Sequence, residues 1–527
     1  MCLIYKRNNL FGTALEVKFD CSCITTVLFM ANETPSDIAK ILELQPKDSV
    51  PLYRQLYNRL RMAILSGQLK AGAQLPSTRT LANELGISRN TVLFAYEQLL
   101  AEGYVNGKVG SGTTVADVLP ETLLATSNDL PTLPQQQTLP SQLSQRGINL
   151  TNTPFIPKPL LTDEGIQQRA FRVGMPALDA FPHETWAQLI AKRAKHSLSE
   201  LLNYRHPAGY YPLREAIASY LVVTRGVRCT AEQVILVAGS QGGIDLAARV
   251  LLDPGNAVWM EEPGYLGARG ALEGAGANLF PVPVDTEGLD VVAGVAHCPQ
   301  ARLAYVTPSH QFPLGVTMSL SRRLALLEWA SQNNAWLLED DYDSEYRFNG
   351  QPLSAMQGLD QGNRTVYIGT FSKVLFPALR LGYVVVAPDM VEAFIAVHRL
   401  TKLHLSAFEQ AVLADFITEG HFTRHIRRMR ILYAKRRAIL IKTLKDTLEL
   451  EISAPDTGMH LILWLPPGMD DKLASQQAAI HGIDALPISL FSINEYRAGL
   501  MLGYAAVNEQ EIYEGVQRLA KALTNCA

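Results

Sequence analysis

The sequence predicts two folded parts in one chain of 527 residues: a small helical module with a β-wing near the N-terminus, and a large α/β domain ending in a smaller α+β subdomain. Three observations predict this. Between Pro51 and Gly103, apolar residues recur at helical spacing in three short segments punctuated by glycine and serine, and two β-type runs follow around a glycine-rich tip. Residues 116–165 then shift to Pro, Gln, Thr, Ser and Leu. From Phe171 onward, short and nearly continuous apolar runs alternate with helical spans, the pattern of a sheet that is largely parallel and buried on both faces.

The length leaves room for two or three cores at roughly 100 to 200 residues per domain. With 47% hydrophobic residues and a net charge of −3, the composition is that of an ordinary soluble protein and carries no global basic excess. The charge is uneven, however. Residues 47–115 hold eight Lys or Arg against four acids, a balance of +4, which leaves −7 on the remainder. A compact basic module on an acidic body is the pattern of a DNA-reading head on a sensor or enzyme. Six scattered cysteines form no disulfide framework in a chain of this size, and Cys21 and Cys23 lack partners for a zinc site, which points to a reducing cytoplasm. The apolar run 24–31 is too short to span a membrane, and within the N-terminal extension 1–46 Met30 is a second candidate for the start of translation.

In the head (47–115), Leu52, Leu56, Leu60, Ala63 and Ile64 define a first helix from Pro51, with Gly67 as its stop. Pro76 and Ser77 open a short second helix, with Leu81, Ala82 and Leu85 inward and Gly86 closing it. Ser88 caps a third, striped by Val92, Tyr96, Leu99 and Leu100 and ending at Gly103. Two helices joined by a tight glycine-containing turn are a helix-turn-helix signature. Residues 104–105 and 113–115, around the tip 106–112, read as a hairpin wing carrying Lys108. The third helix would read DNA, since Ser88, Arg89, Asn90 and Thr91 stand in its first turn: Arg89 can bridge guanine and Asn90 can pair with adenine, or either can touch phosphate. Arg79 and Lys108 read as phosphate contacts. On these residues alone, a small protein-interaction domain with a solvated basic face is the alternative. The wording Pro-Leu-Tyr-Arg-Gln-Leu, Leu-Pro-Ser-Thr-Arg-Thr-Leu-Ala and Ser-Arg-Asn-Thr-Val over 51–115 closely resembles GntR-family winged helices, which implies a DNA-binding domain.

The proline-spaced stretch 116–165 reads as a semi-extended linker. In the body (166–527), five apolar runs end in polar residues: 234–237 before Gly239, Ser240 and Gln241; 258–260 before Glu261 and Tyr265; 303–306 before Ser309 and His310; 336–338 before Asp340 and Tyr342; 365–368 before Lys373. Ligands collect beyond the carboxyl ends of parallel strands, and every candidate residue sits at one. Longer helices follow Val391, and 459–465 and 500–507 read as strands of a small subdomain over 395–527.

Lys373 lies behind a short buried-looking strand, after Thr370, Phe371 and Ser372 and seven residues before Arg380. An amine there, with hydroxyls and a guanidinium able to hold a phosphate, suits attack on an aldehyde; a surface lysine after a strand fits the spacing equally well. The segment Tyr-Ile-Gly-Thr-Phe-Ser-Lys-Val-Leu-Phe-Pro-Ala-Leu-Arg-Leu-Gly-Tyr resembles the Schiff-base lysine segment of fold-type I enzymes that use pyridoxal 5′-phosphate (PLP). It more closely resembles that of the MocR branch of GntR-family transcription regulators, which join a winged helix to a fold-type I aminotransferase-like domain in a GabR-like architecture. The resemblance covers about residues 47–527. It implies a cytoplasmic homodimer with PLP as cofactor, a double-stranded DNA operator and a small-molecule effector.

Residue by residue, the resemblance makes Lys373 the Schiff-base amine. Asp340, with Asp341 as the alternative, would face the ring nitrogen, and a buried acid of this kind calls for a cationic partner. Tyr342 would hydrogen-bond the ring oxygen. Ser240 and Gln241, at a helix start, would bind phosphate with Thr370, Ser372 and Arg380. Tyr265 would stack on the ring, or simply pack in the core. His310 occupies the segment that presents a polar group to the ring, and Tyr204 would reach the phosphate across a dimer interface. No metal is expected, because Arg424, Arg427, Arg428 and Arg430 around His421 and His425 read as a solvated basic face.

Family members that bind amino acids commonly carry an Arg two residues before the Gly of the late strand written here Leu-Met-Leu-Gly-Tyr. That position is Met501, which cannot fork onto a carboxylate. Arg497 would substitute, or the effector lacks a carboxylate, or PLP itself is the signal. The resemblance therefore implies a regulator sensing a small amine or PLP through Lys373. A PLP-dependent aminotransferase with an ancillary DNA-binding head, retaining a slow half-reaction, is the alternative.

Overall fold

The computed structural model describes residues 42, 44–45, 50–108, 112–119, 143–152, 169–196, 198–350, 353–524 and 526, and divides into two compact units, one up to Ser141 and one from Gln142. Met30, Cys2, Cys21 and Cys23 lie outside the described residues.

In the first unit, helices Leu52–Leu65, Thr78–Leu85 and Arg89–Ala101 fall where the apolar spacing places them. Their starts are written in hydroxyls: the Ser77 side chain accepts from the Thr80 amide and the Ser88 side chain from the Thr91 amide, both at 3.1 Å. Gly86 closes the second helix at φ 64°, a left-handed conformation that suits glycine. Leu56, Leu60, Leu81, Val92 and Leu99 are buried at the centre. The wing strands β2 (Val105–Lys108) and β3 (Gly112–Val115) pair antiparallel, Val105 opposite Val115. A third strand, β1 (Gln74–Leu75), joins the far edge of β3, an element too short to leave a periodic signal.

In the second unit, an eight-stranded sheet is built from β4 (Val234–Val237), β5 (Ala257–Glu262), β6 (Asn278–Asp285), β7 (Gly288–Leu289), β8 (Leu303–Val306), β9 (Trp336–Asp341), β10 (Thr365–Thr370) and β11 (Gly382–Val385). The spatial order is β4-β11-β10-β9-β8-β5-β6-β7. Neighbours from β10 through β6 pair in parallel, as the continuous apolar runs predict. The exceptions are the short edge strand β7, antiparallel to β6, and β11, which is antiparallel to both β10 and β4. Strand β11 directly follows the Lys373 turn, so the chain folds back beside the strand it has just left. The carboxyl ends of β4, β5, β8, β9 and β10 all open on one edge, where the candidate residues gather.

A second sheet, β12 (Ile452–Ser453), β13 (His460–Trp464), β14 (Leu486–Pro487) and β15 (Gly499–Gly503), runs antiparallel in the order β12-β13-β15-β14. It contacts helix Asp471–Ile480 and shares a buried core with helices His421–Thr447 and Glu509–Thr524.

The linker reading of 116–165 fails in part. Ala116 is buried and Leu119 packs on the head's core. Gln145–Asn152 is a helix of the second unit, started by Ser144, whose hydroxyl accepts from the Gly147 amide at 3.0 Å, and it contacts helix Leu266–Gly274. Proline spacing on either side obscured this short capped helix. Residues 120–142 and 153–168 lie outside the description. Among the described residues no helix is long and apolar enough to cross a membrane.

Candidate functional site

Five of the predicted residues, Ser240, Tyr265, Asp340, Tyr342 and Lys373, line one cavity of about 170 Å³ at the carboxyl edge of the large sheet. Lys373 enters it from the turn after β10 and donates to the Gly174 carbonyl at 3.1 Å. Gly174 sits at φ 73°, and a Cβ there would lie 2.6 Å from the Lys373 Nζ, so only glycine lets the two approach. Burial pulls the Lys373 pKa below the ordinary lysine value, opposed by Asp343 and Asp340 and reinforced by Arg380. A larger fraction of neutral amine is therefore present at neutral pH, as a nucleophile requires.

Asp340, at the end of β9, is 3% exposed. Its Oδ2 accepts from the Tyr305 hydroxyl at 2.8 Å, while its Oδ1 has no partner. Burial pushes its pKa up to about 7. Asp341 points the other way, as adjacent strand residues must. It takes Arg225 at 2.8 Å and the Tyr367 hydroxyl at 2.6 Å and does not line the cavity. The cationic partner expected for the buried acid thus belongs to Asp341, and Asp340 keeps an open acceptor facing the cavity.

Tyr342 and His310 act as a unit. The His310 Nδ1 lies 2.9 Å from the Tyr342 hydroxyl and 3.0 and 3.1 Å from the Asp343 carboxylate oxygens. His310 itself does not line the cavity; it touches three residues that do, Tyr342, Asp343 and His460. Asp343, which does line it, was missed from the sequence, although Asp-Asp-Tyr-Asp carries it two positions beyond the strand. Tyr305 and the apolar wall of Leu266, Phe312, Leu486 and Phe491 were missed as well. Tyr265 presents its ring to the cavity and meets Phe312 edge to face at 5.7 Å.

A phosphate cup lies beside this. Helix Gly239–Leu251 begins with no side-chain cap, leaving its first amides available, and Ser240 is in its first turn. The Arg380 guanidinium lies 3.8 Å from where a Gly239 Cβ would stand and donates to the Ala238 carbonyl at 3.2 Å. Ser372 carries a buried hydroxyl without a partner, and the Thr370 hydroxyl accepts from the Ser372 amide at 3.2 Å. Gln241 is turned elsewhere, donating to the Gly267 carbonyl at 2.8 Å, so it ties two helix starts together rather than facing the cavity. Tyr204 is 81% exposed, away from the cavity, in T-shaped contact with His404. Arg497 pairs with Glu451 at 2.6 Å on the surface and is not among the cavity residues. His425 departs from the expected basic face: it is buried, with Nε2 3.0 Å from the Val374 carbonyl, and burial lowers its pKa to about 4.

These residues fit PLP. The orphaned Asp340 oxygen matches a protonated ring nitrogen, Tyr342 matches a ring oxygen, Tyr265 supplies a flat face, and the open helix start with Ser372 and Arg380 matches a dianionic phosphate.

In the head, Arg79, Arg89 and Asn90 are exposed. The Ser88 and Thr91 hydroxyls lie 2.8 Å apart and are engaged in capping. The Arg89 Nε donates to the Thr78 hydroxyl at 3.4 Å. The side chain of Lys108 lies outside the description.

Comparison with known proteins agrees with both halves. Residues 52–115 match the family of bacterial regulatory proteins, gntR family, and residues 173–519 match aminotransferase class I and II. The probable rhizopine catabolism regulatory protein MocR of Rhizobium meliloti is 42% identical over 92% of this chain and 96% of its own. The pyridoxine biosynthesis transcriptional regulator PdxR of Corynebacterium glutamicum is 32% identical over 80% of this chain and 85% of its own. Among solved structures, the kynurenine aminotransferase of Pyrococcus horikoshii, determined with PMP, aligns at 27% identity with a TM-score of 0.65, covering 76% of this chain and 99% of that one. With a gntR-family winged helix and an aminotransferase-like domain in one chain, matched nearly end to end by such a regulator, the protein belongs to the MocR-type GntR-family transcription regulators.

Proposed function

We propose that this regulator binds PLP in the cavity at Lys373 and acts in the cytoplasm as a homodimer whose affinity for an operator depends on what occupies that cavity. The observation that carries the reading is the pairing of a buried, unpartnered Asp340 oxygen with a lysine of lowered pKa in one cavity. PLP, when bound, supplies an aldehyde that captures amines and a protonated ring that draws electrons from the captured group. The chain's own part is to hold it. Asp340 would hold the ring proton, Tyr342, beside His310, would meet the ring oxygen, Tyr265 would cover the ring, and the start of helix Gly239–Leu251 with Ser372, Thr370 and Arg380 would hold the phosphate. A small amine entering beside Lys373 would compete for the same aldehyde, and coupling to DNA requires that it favour one arrangement of the dimer over another. Two winged helices on a dimer would read two half-sites, with Arg89 and Asn90 at base edges and Arg79 on phosphate.

The likeness to aminotransferases favours a second reading, a working transaminase with a DNA head. Against it stands Met501, buried where a carboxylate-binding arginine would serve amino-acid turnover. The test is the visible spectrum of the purified protein with PLP, beside Lys373→Ala, before and after borohydride. A reducible chromophore in the wild type alone is expected; no chromophore after PLP is added would sink the reading.

A further inference from the structure

Beside Lys373 the cavity wall is mainly hydrocarbon; its one imidazole, His460, packs on Phe312 at 5.7 Å, directs Nε2 to the Pro313 carbonyl at 2.9 Å and is held neutral by burial, which lowers its pKa to about 3. Leu266, Phe312, Leu486 and Phe491 face the space beside Lys373, and the Phe312 and Phe491 rings meet edge to face at 5.2 Å. Behind them Met501 is fully buried, paired across the ladder with Ile462 and Leu486. Among the described residues that line the cavity, Lys373 is the one lysine or arginine, whereas Asp340 and Asp343 bring two buried carboxylates. Arg380 is turned toward the start of helix Gly239–Leu251, and Arg497 is outside with Glu451, its guanidinium 4.6 Å from the Trp464 ring centre. A ligand carboxylate placed here would lose its water against apolar side chains, near Asp343 and with no guanidinium to receive it. An ammonium group meets the opposite field.

We infer that the effector is a primary amine with an apolar body and no carboxylate, its nitrogen directed to Lys373 and its hydrocarbon to the aromatic corner of Phe312 and Phe491. The inference rests on the proposed PLP site and narrows what that site admits. An aryl or branched alkyl body would fill the corner at edge-to-face distance from both rings. Selection follows from the wall's lack of any charge that answers a carboxylate, as a pocket built for one ligand rejects another by leaving its charge unpaired.

The test uses pairs that differ by the carboxylate alone, phenethylamine with L-phenylalanine and isoamylamine with L-leucine. Each is titrated into the PLP-loaded protein and followed by visible absorption and by affinity for DNA selected from a random pool. Each amine is expected to half-saturate at a concentration at least about 10-fold below that of its amino acid. An amino acid that binds as tightly as its amine overturns the inference, as does a loaded protein that responds to neither pair. Met501→Arg is expected to reverse the ranking. Leu486→Arg, at a partly exposed position on the wall, provides the same test should the buried variant not fold. An unchanged ranking in folded, PLP-loaded variants would also overturn it. Failure of the underlying reading looks different: no chromophore forms on adding PLP, before any amine is present, and both proposals fall together.

Discussion

The floor and the wall of the same cavity are built on opposite principles. The floor, at the ends of β9 and β10, is polar and incomplete: Asp340 Oδ1 and Ser372 Oγ are buried without partners, and Lys373 is held below its usual pKa. The wall is apolar and complete, its residues packed on Ile462, Ile488 and Met501. Orphaned polar atoms cost stability unless something satisfies them, so on the proposed reading the floor is the part that would hold the cofactor. A packed apolar and aromatic surface asks for nothing and instead excludes, so on the inferred reading the wall would set which ligands are refused.

Breaking the floor has the largest expected effect. Asp340→Asn should weaken PLP binding about 100-fold, since a charge-assisted bond to the ring nitrogen is lost. Without PLP the same change should stabilise the protein. The Asp340 pKa is raised to about 7 from an unfolded value near 4, so its ionised form is the disfavoured one in the fold. That cost is absent below pH ~4, grows as pH rises to ~7 and is constant above, on the order of 4 kcal/mol. Thermal unfolding of the two apo proteins should therefore coincide at pH 4 and diverge at pH 8, with Asp340→Asn the more stable, and the order should invert once PLP is added.

Breaking the wall should do less and do something different. Phe491→Ala should leave the PLP chromophore in place while raising the half-saturating amine concentration about 10-fold, by loss of buried aromatic contact. If it instead removed the chromophore, the division between floor and wall would be lost. Smaller still, and independent of the cavity, Ser88→Ala should cost the head about 1 kcal/mol through loss of the cap on helix Arg89–Ala101, measured by denaturation, with the chromophore unchanged. Arg79→Ala should lower the slope of log affinity for DNA against log salt by about one unit, without changing which DNA is preferred.

Most of the floor was legible because strand, turn and chemistry coincide in sequence. An apolar run followed at once by Asp340 or Lys373 marks both the strand end and the site. The caps at Ser77 and Ser88 were legible for the same reason, since hydroxyl, helix and spacing are adjacent. Side-chain direction was not so readily available. Asp340 and Asp341 are neighbours in sequence and part only when β9 places them on opposite faces, one toward Lys373 and one toward Arg225. Gln241 and Arg497 likewise point away from the cavity for reasons of local packing. The wall was hardest to read, because Phe312, Leu486 and Phe491 are ordinary apolar residues far apart in the chain, brought together only when the small sheet closes on the large one. The antiparallel course of β11 escaped for a similar reason, as an apolar run does not disclose its direction.

The proposed regulation turns on Lys373 linking the cavity to DNA. The most direct measurement is the affinity of wild-type and Lys373→Ala protein, each supplied with PLP, for selected DNA, with and without phenethylamine. A shift in wild-type affinity on adding the amine, together with DNA binding by Lys373→Ala that no longer responds, is the result the account predicts. An equal shift in Lys373→Ala would contradict it, because the amine would then be acting on DNA binding by a route that bypasses the lysine.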